Sequence, residues 1–152
     1  MGKLDLTMGG PGWQDFVVEH PEHSPHYEYG LADPDDAKIR RRSIYRFIVR
    51  SQTQPWMTSL DCADPSCAWT GRNESLSALQ ALALLNNGFM VTQARHFAER
   101  VQGEAPDLGG QVERAYRLAL GHAPSSGDRE RSAAFAHANG PAQSLPRVAQ
   151  PQ

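Results

Sequence analysis

Apolar positions are sparse at both ends of this chain, concentrate between Ile44 and Leu120, and change their spacing near residue 75. Upstream of that point, Gly and Pro punctuate the chain and residues 2–32 hold no sustained period. Phe16 and Val18 alternate with their neighbours and predict a short strand over residues 14–18. Tyr45, Phe47 and Val49 recur at period two in a stretch rich in β-branched and aromatic residues, which predicts a strand over residues 42–50. A helix begun by Asp35 or Asp36 competes, because Ile44, Phe47 and Ile48 also share a helical face. Residues 56–60 read as a second short extended run, followed by turns through Asp64 and Pro65.

From Ser75 onward the spacing is helical. Leu76, Leu79, Leu82, Ala83 and Leu85 cover more than half of a first helix, capped by Asn73 or Ser75, and so apolar an element calls for burial on most sides. Gly88 is expected to end it in the left-handed conformation, with Asn86 and Asn87 as costlier substitutes. Met90, Ala94, Phe97 and Val101 define a second helix. Val112, Ala115, Tyr116, Ala119 and Leu120 define a third, over residues 110–120, with Gly121 just past its end. Pro124 blocks continuation, and Ser125 with Asp128 signals the start of a fourth, to about Ala138. The reading is a mainly α chain: a small bundle of about four helices over residues 75–139, an irregular and partly extended region over 1–74, and a disordered tail over 140–152.

Composition sharpens this picture. A chain of 152 residues can bury roughly 70% of its unfolded surface in one core, yet it is only 39% hydrophobic. Its mean hydropathy of −0.55 is low for a self-contained globule. A net charge of −2 gives no global field for nucleic acid or an anionic membrane. The basic run Lys38, Arg40, Arg41, Arg42 follows Asp33, Asp35 and Asp36 and reads as a self-neutralising, solvated face. No apolar stretch is long enough to span a membrane, and the N-terminus lacks a signal-peptide pattern.

Candidate chemistry is thin. His20, His23 and His26, with Glu19, Glu22 and Glu28 nearby, are suitable ligands for zinc, copper or nickel. Pro21 and Pro25 favour an extended chain that splays such ligands apart, so an exposed loop is the preferred reading. Cys62 and Cys67 can close a short disulfide loop if the protein is exported, and are two thiols otherwise. Asp61, Asp64 and Glu74 could serve as a carboxylate site, but aspartates around a proline more often set turn geometry. The loop at Gly9, Gly10, Pro11 and Gly12 lacks the lysine of a phosphate loop, and no Gly-x-Ser-x-Gly, His-Glu-x-x-His or Cys-x-x-Cys-His motif is present. His96 reads as a surface or partly buried histidine, and Arg95, Glu99, Arg100, Glu113, Arg114 and Arg117 as a solvated face with pairs such as Glu113 and Arg117.

The strings GKLDLTMGGPG, RRSIYRFIVRS, LDCADPS, LQALALLNN and RAYRLALGHAP, in this order, resemble the C-terminal half of the planctomycete PSD-type domain, the domain of unknown function 1553 family. Members of that family often read Thr-Pro where Ser77 and Ala78 stand here, a difference that removes a preset first helical turn. The resemblance implies a longer parent protein with a helical region upstream, so the chain is expected to be a fragment. It also implies an envelope location, with a cytochrome c-like domain elsewhere in the protein carrying any haem. No catalytic residue transfers, and no cofactor is expected in this chain. Two functions stay open: a non-catalytic interaction module, whose apolar first helix packs on missing upstream sequence or on itself, and part of an exported enzyme or redox protein completed by other segments.

Overall fold

The computed structural model describes residues 2–20, 23–63, 75 and 77–139. It is mainly helical, with a small antiparallel sheet ahead of the helices. The described residues divide into two compact units, the first within 2–92 and the second over 93–139.

In the first unit, β1 (Val17–Glu19) pairs with β2 (His26–Glu28), placing Val18 opposite Tyr27. Phe16, just before β1, is buried and meets Tyr27, Tyr29 and Phe47 edge-on at centroid distances of 5.1, 5.7 and 6.0 Å. Such edge-to-face packing sets the positive ring edge against a neighbour's π face. Gln52 seals the outer edge of β2: its Nε2 donates to the Tyr27 carbonyl at 2.8 Å, and its Oε1 accepts from the Tyr27 N–H. One side-chain amide thus satisfies both backbone groups that a further strand would have paired.

Residues 42–50 do not form the expected strand. They hold a 3₁₀ turn at Ser43–Tyr45, followed by a single bridge from Arg46 to Trp13. Trp13 N–H donates to Tyr45 and its carbonyl accepts from Phe47 N–H at 2.7 Å. The opposing segment contains Gly9 and Gly10, both at positive φ, and Pro11, so the ladder has no partner along which to propagate. The rival long helix is absent too. Asp36 accepts from Lys38 N–H at 2.9 Å but starts only a 3₁₀ helix, Ala37–Arg40.

The second expected extended run is instead a helix, α1 (Pro55–Ser59). Gln54 caps it, accepting from Met57 N–H at 2.6 Å, and Pro55 presets its first turn. Helix α2 (Ala78–Asn86) starts at neither Asn73 nor Ser75 but at Ser77, through a capping box with Gln80. Asn73 lies outside the described residues. Helix α3 (Gly88–Glu104) begins one residue after Asn87, which ends α2 in an extended conformation. Gly88 is therefore a first helical residue rather than a left-handed stop. Asn87 Oδ1 accepts from Phe89 and Met90 N–H at 3.0 and 3.3 Å, satisfying two donors at the new N-terminus.

In the second unit, α4 (Leu108–Leu120) starts two residues earlier than its spacing suggests, because Asp107 caps it. Gly121, just past its end as expected, is left-handed at φ 78°. Helix α5 (Ser126–Asn139) packs on α4 and is entered through Ser125 and Asp128: Asp128 N–H donates to Ser125 Oγ, whose hydroxyl returns a 2.7 Å bond to the Asp128 carboxylate. The expected apolar stripe of α3 is only partly buried. Val101 is buried and Ala94 exposed, while the polar Thr92, Gln93 and His96 are buried.

Candidate functional site

The feature with functional content lies in the first unit and starts at Asp61. This residue sits at φ 55°, the left-handed region that non-glycine residues seldom occupy and that Asp tolerates better than most. There its Oδ2 accepts from the Ser75 N–H and hydroxyl, each at 2.7 Å, and from Gln80 Nε2 at 3.0 Å. Gln80 in turn donates to Ser75 Oγ and accepts from Ser77 N–H. One carboxylate and one amide therefore fix the entrance of α2.

This clasp sets the rotation of α2. Gln80, Ala83 and Asn87 lie on one side of the helix and are partly covered. Leu79, Leu82 and Leu85 follow at three-residue intervals on another side and are 76%, 57% and 75% exposed, with Leu84 at 42%. The helix is thus held by its polar and small positions and presents its leucines outward, the reverse of a surface helix feeding a core. The burial expected for these leucines is not found among the described residues, and Leu76 lies outside them.

Beside α1, a cavity of about 150 Å³ is lined by Arg46, Val49, Met57 and Cys62 among others. It is smaller than the roughly 300–1,000 Å³ of ordinary ligand pockets. Arg46 is committed elsewhere: its Nε reaches both carboxylate oxygens of Asp15 at 3.0 and 3.1 Å, in a pair whose side chains are 9% and 16% exposed. Tyr29 stands close to this pair, donates its hydroxyl to the Gln52 carbonyl at 3.1 Å, and has its phenol pKa raised by burial. Arg41 is likewise structural, donating to the carbonyls of Thr7, Gly9 and Pro11 and stacking over the Tyr45 ring. It holds together the glycine-rich loop that the sequence shows without explanation. Arg40 pairs with Asp35 at 2.6 Å.

His26 lies on β2 and its Nε2 meets Glu28 at 2.8 Å, while His20 and His23 are exposed on either side of two residues outside the described set, Pro21 and Glu22. Among the described residues no group of three or more His, Cys, Asp or Glu side chains could hold a metal ion. Cys62 is exposed, and Cys67, Asp64 and Glu74 lie outside the described residues. His96, expected nearer the surface, is 8% exposed and contacts Glu99 through Nδ1 at 3.1 Å. On the charged face of the second unit Glu113 pairs with Arg117 as expected and also with Arg129, while Glu104, outside the expected set, pairs with Arg100 and Arg114.

These features define a mainly helical chain that offers an exposed apolar helix. Over residues 1–136 the chain matches the family described as PSD1, protein of unknown function (DUF1553), and it belongs to that family. No curated protein and no solved structure matches it.

Proposed function

We propose that this chain is a non-catalytic interaction module of a bacterial envelope protein, and that the outward leucines of α2 are its contact surface. One observation carries the reading: Gln80 of α2 is bound to Asp61 while Leu79, Leu82 and Leu85 stand exposed. Leaving several leucines in water forfeits about 1.5–3 kcal/mol for each that could be fully buried, so such a face is kept for a partner. The envelope location rests on the resemblance of the chain to long exported proteins. Among the described residues no helix is long and apolar enough to cross a membrane, so attachment would come from elsewhere. In this reading the chain carries no cofactor, and haem belongs to a separate domain.

An apolar fluorescent dye tests the surface. The folded chain is expected to enhance its emission, and Leu79→Ser with Leu85→Ser to lower it several-fold without loss of helicity. A folded chain that leaves the dye dark overturns the proposal. Immunodetection in cell fractions tests the location, and a soluble cytoplasmic pool alone overturns that part.

A further inference from the structure

The geometry points to a second copy of this chain as the occupant of the α2 face, in an antiparallel pair with its two-fold axis at Leu82. The inference rests on the interaction-surface reading above and names the partner. Helix α2, ALQALALLN, contains no charged residue, so two copies can approach without like-charge repulsion. Its exposed leucines are also placed symmetrically. Leu79 and Leu85 lie three residues either side of Leu82, so an antiparallel two-fold sets Leu82 against Leu82 and Leu79 against Leu85 of the second copy. That is the self-complementary pattern of an isologous interface, where each contact occurs twice. The small Ala78 and Ala81, both exposed on this side, permit the close helix approach that the contact needs. A patch of one short helix falls below the roughly 600 Å² per partner of stable complexes, so the pair is weak and concentration-dependent.

Sedimentation equilibrium over a concentration series tests the pair, together with cysteine cross-linking in a Cys62→Ser, Cys67→Ser background. The mass is expected to rise from 16.7 kDa toward twice that value, and Leu82→Glu, at a solvent-exposed position, to hold it at 16.7 kDa. Facing positions on packed helices come within disulfide reach, so Leu82→Cys should cross-link to itself on mild oxidation. Leu79→Cys should not, because its copies lie about 9 Å apart along the paired axes. A dimer indifferent to Leu82→Glu, or one that cross-links better through position 79 than 82, overturns the two-fold. A monomer at every concentration that still brightens the apolar dye overturns self-pairing and leaves the interaction surface standing. A monomer that leaves the dye dark overturns both.

Discussion

Gln80 Nε2 donates to Asp61 Oδ2 at 3.0 Å, across nineteen positions of chain, on the side of α2 away from the exposed Leu79, Leu82 and Leu85. The amide is used at both ends, since its oxygen accepts from Ser77 N–H while its nitrogen also reaches Ser75 Oγ.

Asp61→Ala removes an acceptor shared by three donors. The cost expected is about 1–3 kcal/mol, in the range of a hydrogen bond to a charged group, read as a lower midpoint in urea unfolding. Asp61→Gly should be less damaging than Asp61→Ala, because glycine occupies φ 55° without strain while losing the same bonds. Equal losses for the two would show that backbone strain at Asp61 has no energetic weight.

The ion pair of Asp15 and Arg46 is the most buried charge pair described in the first unit. Arg46→Met leaves Asp15 without its partner and should destabilise by about 3–5 kcal/mol. Asp15→Asn together with Arg46→Met should recover part of that loss. A double-mutant cycle from chemical denaturation measures the coupling, and additive single effects would contradict it.

The second unit should weaken in acid. Glu104 has its carboxyl pKa held below the usual value by hydrogen bonds from Arg100 and then Arg114, Glu113 by Arg117 and then Arg129, and Asp128 by the Ser125 hydroxyl and then Arg131. A carboxylate whose folded pKa is depressed contributes stability above its unfolded value, near 4.5 for Glu and 3.8 for Asp, and loses it as pH falls through the folded value. Thermal melts should therefore drop in midpoint between about pH 5 and pH 2. Glu104→Gln with Glu113→Gln should flatten that dependence. High salt should flatten it as well, because these pairs are exposed.

Gly121 ends α4 at φ 78°, and a Cβ built there meets nothing within 4 Å. Gly121→Ala therefore isolates the backbone cost of the left-handed conformation, about 1–2 kcal/mol, with no steric contribution. Gly121→Asn should recover part of it, since Asn visits this region more readily. Differential scanning calorimetry checks the order Gly, Asn, Ala.

The helices beyond residue 75 were legible because their signals are local. Ser125 with Asp128, Gly121 after Leu120, and the spacing of Val112 and Tyr116 each act within one or two turns. The leucine-rich α2 was legible for the same reason, although its cap moved to Ser77. Residues 42–50 were not, because a strand exists only where a partner runs beside it, and Trp13 supplies one bridge before the glycine-rich loop turns away. Helix α1 was missed although Gln54 and Pro55 carried a signal: a glutamine cap is uncommon and the helix is a single short element.

Residue type and short-range spacing were enough to establish a mainly α chain with little core and an uncharged leucine helix. Only the tertiary structure decided that Gln80 is bound inward and the leucines stand outward, that Gln52 closes the edge of β2, and that Arg41 and Arg46 are spent on carbonyls and on Asp15. Each of these depends on which groups meet across many positions of chain, and hydrophobic periodicity identifies an apolar face without saying what lies opposite it.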